Sequence, residues 1–321
     1  MLVQSGDALN IKLKVCESNP ILTTERLPQL DQNINGPSLI RAPKWLKDPI
    51  ANYYLYFAHH KGKSIRLATA NALKGPWKLY EPGTLHLTQS GFPQRPPTRE
   101  AMLPEVIEKI EQGIEGDYPH IASPDVHIDD SQQLIQMYFH GRMPDGTQKT
   151  KLAVSVDGIH FNTRPEVLGI SYFRVFQYNG WYYALALGGA IYRSIDGQSN
   201  FEYGGQITSD TFRHCAVWVH SEKIHVFWTR IGDCPESLLV STLDTLGNWT
   251  KWTLTDTNVL RAPQFKWEGA DQPAVTSVAG ASMNRVCQLR DPAIYTETQK
   301  SWLLYSIAGE QGLAIAELTV D

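Results

Sequence analysis

The segment Leu134-Ile135-Gln136-Met137-Tyr138-Phe139-His140 decides the fold, because the chain contains five segments of this kind. Each is a run of aromatic and aliphatic residues that ends in small or polar ones, which is typical of a half-buried β-strand. The other four copies are 53–59, 181–186, 223–228 and 301–306. Five copies predict five similar β-structured units.

Each copy is the second strand of a larger unit. A short apolar strand precedes it and a third strand follows, and Asp-Gly or Gly-Pro turns then lead into a Trp or Phe segment. The first strands are 37–41, 125–128, 173–178, 214–219 and 291–296, and the third strands are 65–70, 152–155, 190–194, 238–242 and 313–317. Four-stranded units at a period of about 45 residues are propeller blades. The sequence therefore predicts an all-β fold, a five-bladed β-propeller.

Two of the intervals between copies are longer than the blade period and carry an insertion of roughly three dozen residues each. The first insertion, about 88–117, has apolar residues at helical spacing and predicts a short helix between blades one and two. The second, about 256–288, is rich in Pro and small residues and predicts a long ordered loop.

The chain, 1–321, is predicted to be a single domain, with blades at about 33–87, 118–168, 170–207, 212–255 and 288–320. The last blade has only three strands, whereas 9–15 alternates polar and apolar residues like an isolated strand. We expect this N-terminal strand to complete blade five and close the ring, which removes free strand edges.

Composition excludes several classes of partner. The net charge is -4 with no basic stripe, so nucleic acid is not expected. No apolar run reaches transmembrane length and no signal peptide is visible, which predicts no membrane partner and a cytoplasmic protein. The four cysteines are widely separated without zinc-site spacing, so we expect free thiols, no metal and no cofactor. The oligomeric state is left open.

The first strand of every blade lines the central channel, so its opening residues should meet at one end. They include two carboxylates, three arginines and a histidine: Asp125, Asp291, Arg174, Arg213, Arg290 and His214. Glycosidic bond hydrolysis uses one carboxylic acid and a second carboxylate. Asp125 and Asp291 are the predicted pair, with Glu268 and His214 as further catalytic candidates.

Other polar and aromatic residues are candidates for substrate binding. The set consists of Asn35, His59, His60, His120, Arg174, Arg213, Arg290 and Trp267, with His140 and Glu310 beside them. Each has a structural alternative. The arginines in particular could neutralise Asp125 and Asp291 instead of contacting a ligand.

From about Asn33 to the C-terminus the chain resembles the five-bladed glycoside hydrolases of family 43 and its relatives in families 32, 62, 68 and 117. Ser123-Pro124-Asp125-Val126 is similar to the blade-two motif whose aspartate orients the general acid. Gly36-Pro37 is similar to the blade-one motif, but Gly36 stands where that family has its general-base aspartate. Asp291-Pro292 restores the Asp-Pro pair on blade five, which makes Asp291 a replacement candidate.

The resemblance also leaves the general acid unassigned, because the family's blade-four glutamate has no counterpart here. A histidine has been proposed as the acid in family 117, and His214 is the matching candidate. A channel calcium ion occurs in family 43, but no oxygen-rich loop indicates one in this sequence.

These features predict a glycoside hydrolase that acts on an oligosaccharide in the central funnel. Two alternatives follow from the same residues. Gly36 and the missing glutamate fit a non-catalytic carbohydrate-binding propeller, and the three arginines fit a transglycosylase or a glycoside phosphorylase.

Overall fold

The computed structural model describes residues 10–25 and 33–320. Five antiparallel sheets form a five-bladed β-propeller, as predicted. Within each sheet the strands follow chain order from the channel outward, except that blade five takes its outermost strands from the N-terminal segment. The first strand of every blade therefore lines the channel.

The bounds of the strands are these. Blade one contains β3 (Asn35–Arg41), β4 (Tyr53–Ala58), β5 (Arg66–Ala70) and β6 (Lys78–Tyr80). Blade two contains β7 (Ile121–Asp129), β8 (Leu134–Arg142), β9 (Gln148–Ser155), β10 (Asn162–Thr163) and β11 (Gly169–Ile170). Blade three contains β12 (Arg174–Tyr178), β13 (Trp181–Ala186), β14 (Ala190–Ser194) and β15 (Glu202–Gln206). Blade four contains β16 (Phe212–His220), β17 (Lys223–Arg230), β18 (Leu238–Asp244) and β19 (Thr253–Arg261). Blade five contains β20 (Arg290–Glu297), β21 (Lys300–Ile307) and β22 (Gly312–Val320), with β1 (Ile11–Val15) and β2 (Leu22–Thr23) from the N-terminal segment.

The N-terminal strand closes the ring, as predicted. β1 pairs antiparallel with β22 along its whole length, from Ile11 opposite Val320 to Val15 opposite Ala316. β2 adds to the other end of β22. The predicted start of this strand, residue 9, lies outside the described residues. This pairing gives β22 a partner on its outer side and ties both ends of the described chain to one blade.

Neighbouring blades pack through the aromatic second strands. The hydroxyl of Tyr56 in blade one donates to the carbonyl of Gly158 in blade two, and Tyr138 in blade two makes the equivalent bond to Gly197 in blade three. Both acceptors lie in Asp-Gly turns. The strand aromatics that recur in the sequence are therefore largely core residues, and they satisfy their polar atoms across blade boundaries.

Both insertions lie on the face where the first strands begin, which we call the mouth; the opposite face is the rear. The first insertion contains α1 (Pro104–Glu111), which buries Val106, so the predicted helix is confirmed. The second insertion begins later than the predicted residue 256, because β19 continues to Arg261, and it contains a single short helical turn, Lys266–Glu268. All four cysteines are free. Within residues 10–25 and 33–320, no helix has the length and apolar character needed to cross a membrane.

Candidate functional site

The first strands begin with a shared irregularity. The strand pairing shifts at a β-bulge between Asn35 and Ser38, between Ala122 and Asp125, between Phe212 and Cys215, and between Arg290 and Ala293. Bulges re-aim side chains at the rims of barrels and active sites. Here they direct the opening residues of several blades toward the mouth.

The bulges place Asp291 and Asp125 at different depths. Asp291 has φ 48° and Gly36 has φ 57°, and each is the first bulge residue of its blade. Asp291-Pro292 therefore occupies in blade five the place that Gly36-Pro37 occupies in blade one. Asp125 follows the blade-two bulge and aligns with Ser38, deeper in the channel. Asp291 therefore lies nearer the mouth than Asp125, which stands two residues further along the first strand of its blade.

Asp291 forms a buried pair with His214 of the blade-four bulge. Nδ1 of His214 faces Oδ1 of Asp291, and the Ser306 hydroxyl donates to Oδ2 at 2.9 Å. Burial by itself would raise the pKa of Asp291, but the imidazole and the hydroxyl outweigh it and hold the pKa below its usual value. Nε2 of His214 has no hydrogen-bond partner among the described residues. We call Asp291 and His214 the mouth pair.

A row of rings borders the mouth pair. The Tyr172 ring lies edge-on to His214 with centroids 4.2 Å apart, and it lies 4.5 Å from the ring of His140. Tyr172 has φ 69°, a left-handed conformation uncommon for a bulky residue. Burial lowers the pKa of His120, the next ring in the row, to about 4. These imidazoles are therefore held in a poorly hydrated environment at neutral pH.

Arg213 and Arg290 take part in a buried charge network at the mouth. Nε of Arg213 lies 2.8 Å from Glu236, and Nε of Arg290 lies 3.2 Å from the other oxygen of that carboxylate. Arg290 also reaches Glu310 at 2.9 Å, and Nδ1 of His60 lies 2.6 Å from Glu310. We call Arg213, Glu236, Arg290, Glu310 and His60 the mouth network. It joins blades four, five and one, the blades next to the ring closure.

The mouth network also fixes the second insertion across the mouth. Arg213 donates to the carbonyls of Val278 and Gly280, and Arg290 donates to that of Gly280 at 3.2 Å. The backbone N–H of Ser282 donates to Glu310. The loop 278–282 is thus held by buried cations and a carboxylate. Arg213 and Arg290 therefore pair with Glu236 and Glu310, and the ion pairs expected with Asp125 and Asp291 reduce to one contact, between Arg174 and Asp125.

Amides of blade one complete the surroundings of Glu310. Asn33 and Asn35 donate to Oε2 at 2.7 Å and 3.1 Å. Burial alone would raise the pKa of Glu310, but His60, Arg290 and Asn33 lower it strongly. Burial alone would lower the pKa of His60, and the carboxylate of Glu310 reverses this and raises it. The pair is therefore held in its charged form.

Asp125 is enclosed by blade three and by its own strand. It accepts from the backbone N–H of Val175 at 2.7 Å and pairs with Nε2 of His127 at 2.9 Å, while Nη1 of Arg174 lies 3.8 Å away. Arg174 donates in addition to the carbonyls of Pro124 and Cys215. Burial would raise the pKa of Asp125, but His127 and Arg174 bring it below its usual value. Asp125 and His127 form what we call the rear pair.

The structure does not bring Glu268 and Trp267 to the mouth pair. The buried carboxylate of Glu268 binds the Arg261 guanidinium at 2.6 Å and 2.8 Å and accepts from the Tyr305 hydroxyl at 3.0 Å. Trp267 stacks on Phe265, with centroids 5.2 Å apart. Glu268 therefore anchors the second insertion to the blade core. His59, by contrast, lies at the mouth, in the half-buried turn between β4 and β5.

Glu115 was not singled out in the sequence. It follows α1, and the first insertion brings its carboxylate within 3.5 Å of Nη2 of Arg142 at the mouth. Its side chain is 21% exposed, far more than Asp291 or Glu310. Burial raises the pKa of Tyr172, and the charges of Asp291, Glu310 and Glu115 raise it further. The signal available was the position of the helical insertion, directly ahead of blade two.

A channel metal is not supported by the side chains present. No group of three or more His, Cys, Asp or Glu side chains within 10–25 and 33–320 could hold a metal ion. The carboxylates and imidazoles at the mouth instead pair with one another and with arginines.

Solved structures that are similar in fold include glycoside hydrolases of family 43. CoXyl43, a β-xylosidase/α-arabinofuranosidase from a compost microbial metagenome solved with xylotriose, is 12% identical with a TM-score of 0.57 and covers 96% of this chain and 94% of its own. A family 43 enzyme from Xanthomonas citri complexed with xylotriose is 13% identical with a TM-score of 0.56, covering 94% of this chain and 89% of its own. The chain has the five-bladed propeller fold of this clan.

A relative is found among viral proteins. Uncharacterized protein R118 of Acanthamoeba polyphaga mimivirus is 31% identical over 331 aligned positions, which cover 94% of this chain and 88% of that protein. This chain belongs to the same family as the mimivirus protein. No family model matches the sequence.

Proposed function

We propose that this protein is a glycoside hydrolase that cleaves an oligosaccharide at the mouth, with His214 as the group that exchanges the proton. The observation that carries the proposal is the mouth pair. The Asp291 carboxylate lies against Nδ1 and orients the ring, and Nε2 is left without a protein partner. This is the arrangement that proton-transferring histidines use. The family 43 fold, with its carbohydrate-active neighbours, supports the same chemistry.

The reaction can be written with the groups at hand. Protonated His214 donates the Nε2 proton to the glycosidic oxygen, and the bond from this oxygen to the anomeric carbon breaks with its electron pair left on the oxygen. A water molecule attacks the anomeric carbon and gives its proton to Glu115, whose carboxylate is more exposed than those of Asp291, Glu236 and Glu310. Solvent then returns that proton to His214. Asp291 stays ionised and stabilises the imidazolium.

Access to Nε2 requires the Tyr172 ring to move. This ring lies against His214, and Nε2 has almost no solvent contact. We infer that a sugar ring takes the place of the Tyr172 edge when substrate binds. Asp125 has a positioning role here, because it holds the first strand of blade three, which follows Tyr172, through the N–H of Val175.

The second candidate function is carbohydrate binding without catalysis. It is favoured by Gly36, whose place in family 43 carries the base, and by the pairing of Glu236 and Glu310 with arginines. A phosphorylase is disfavoured because Arg174, Arg213 and Arg290 are all engaged by protein groups. A transglycosylase would use the same mouth pair with a sugar hydroxyl in place of water.

The proposal is tested by the release of reducing ends from a panel of neutral and acidic oligosaccharides. His214→Ala and Asp291→Asn should each lower turnover by about 10²–10⁴-fold, the usual contribution of a positioned acid–base group. His225→Ala is the matched control, because it removes a buried imidazole from the same blade at a distance from the mouth pair. Full activity of His214→Ala contradicts the proposal. Binding of panel members without turnover by the wild type favours the second candidate.

A further inference from the structure

A chamber of about 400 Å³ opens at the rear end of the channel. Its walls are the far halves of the first strands of all five blades. The polar side chains that line it include Ser38, Arg41, Asp125, His127 and Glu297, with Arg174 at its inner end. The proposed reaction uses none of these as a reacting group.

The chamber continues outward between blades two and three. A second cavity of about 480 Å³ shares His127 and Val175 with the chamber and is lined in addition by Asp129, Asp130 and Gln177. A smaller one shares Gln177 with the second. We call this connected space the rear trough. Each of the two main parts has the volume of a small-molecule site.

The charged side chains of the chamber lie beside groups of opposite charge or hydrogen-bond donors. Glu297 lies 3.5 Å from Nη1 of Arg41 and accepts from the hydroxyls of Tyr53 and Tyr295. Asp125 is paired with His127 and lies near Arg174. Paired charges keep hydrogen-bonding capacity for hydroxyl groups but exert little net attraction on an ion. The central chamber is therefore suited to a neutral ligand rich in hydroxyls.

The outer part of the rear trough adds groups of the same kind. Gln177 is exposed, and Tyr182 beside it presents a half-buried ring. Asp130 uses one oxygen to accept from Nε1 of Trp45 at 2.9 Å, and its other oxygen can accept from a ligand. An amide, a carboxylate and a tyrosine along one groove match the hydroxyls and apolar ring faces of successive sugar units.

We propose that the rear trough is a second ligand site, separate from the mouth, which binds a neutral oligosaccharide. One end of the chain lies in the chamber at the rear pair, and the rest follows the groove past Gln177. This site does not depend on catalysis at the mouth. It would hold a glycan chain to the protein whether or not the mouth cleaves it.

The test measures binding of xylotriose, cellotriose and mannotriose by titration calorimetry and by chemical-shift mapping of the full chain, with trigalacturonate and a trilysine peptide as charged probes. Gln177→Trp fills the groove at an exposed position, and His127→Phe removes the polar contact in the chamber. Each should weaken binding of the neutral probe at least tenfold. Gln206→Trp is the matched control on the outer strand of the same blade, and it should bind like the wild type.

The shifts should concentrate on the rear ends of β7 and β12, and they should persist in His214→Ala, which separates this site from the mouth. Several results would overturn the proposal: no neutral probe bound at millimolar concentration, tighter binding of either charged probe, shifts confined to the mouth, or unchanged affinity in both variants.

Discussion

The two Asp–His pairs of the channel have the same side chains and opposite surroundings. In the mouth pair, the side chains of His214 and Asp291 are 9% and 2% exposed, and Nε2 is unpartnered. In the rear pair, His127 is 39% exposed, and Asp125 is satisfied by a backbone N–H and backed by an arginine. The mouth pair is dry and has one free nitrogen, as proton transfer requires. The rear pair borders an open chamber, so its side chains can contact a ligand.

The difference comes from the position of each aspartate relative to the β-bulge of its blade. Asp291 is a bulge residue, whereas Asp125 follows the bulge of its blade. The insertions then cover only the mouth, where the mouth network holds the second one and the Glu115–Arg142 pair joins the first to blade two. A repeated fold can therefore place similar side chains at both ends of one channel, and the loops at each end then determine how exposed these side chains are.

The largest effect on stability should separate the two ends of the channel. Glu310→Ala removes the buried carboxylate that pairs with both His60 and Nη1 of Arg290, which should cost about 3–5 kcal/mol. Glu297→Ala at the rear removes a partly exposed carboxylate and should cost about 1 kcal/mol. Urea unfolding of both variants measures the free energies of unfolding. Equal losses would mean that the mouth is no more rigidly held than the rear.

Acid should destabilise the fold through the buried His120 at the mouth. The pKa of His120 is about 4 in the folded protein against about 6.5 in an unfolded chain, so the unfolded state binds the proton first as the pH falls. Stability should then decrease between about pH 6.5 and 4, by up to about 3 kcal/mol for this residue. His120→Gln should remove this part of the decrease, as seen in urea midpoints at pH 7 and pH 4.5. His225, whose pKa is also about 4, should contribute a similar part from outside the mouth.

Restoring the family 43 aspartate should not restore a base. Gly36 has φ 57°, and a Cβ there would lie 3.2 Å from the Cα of Ser123. Gly36→Asp should therefore cost about 1–2 kcal/mol of stability. We expect no gain in turnover, because the acid–base group lies at Asp291 and His214. Gly36→Ala provides the control for strain without charge, and a gain in turnover by Gly36→Asp alone would contradict the assignment.

The smallest effect concerns the alkaline side. The pKa of His60 is raised in the fold, so its ion pair with Glu310 stabilises fully below the unfolded value near 6.5 and is lost as the pH rises through the folded value. His60→Gln should flatten the decline in melting temperature above neutral pH. A decline that is identical in the variant and the wild type would show that His60 is uncharged in the fold.

Most of the fold could be predicted from the sequence because the strand pattern of a blade recurs five times along the chain. Three local patterns correspond to strands and turns of the structure. They are the runs of aromatic and β-branched residues, the Asp-Gly turns, and the alternation in 11–15. The helix at 104–111 was visible from spacing alone. The crossing of both insertions over the mouth follows from their position between a last strand and the next first strand.

The candidate site could be predicted only in part. Clustering of the strand-opening residues is a consequence of topology, so Asp291, His214, Arg213 and Arg290 could be placed together. Their partners could not, because hydrogen bonds between blades join residues far apart in the sequence, such as His60 with Glu310. The bulge offset between Asp125 and Asp291 also leaves no mark in the sequence, since it depends on strand register.

The most direct test compares His214→Ala with His127→Ala in turnover of one neutral oligosaccharide that the wild type cleaves, with both variants shown to be folded. The account predicts that His214→Ala loses about 10²–10⁴-fold in kcat, while His127→Ala keeps kcat within a few-fold. Loss of kcat in His127→Ala with activity retained in His214→Ala would contradict it and move the chemistry to the rear of the channel.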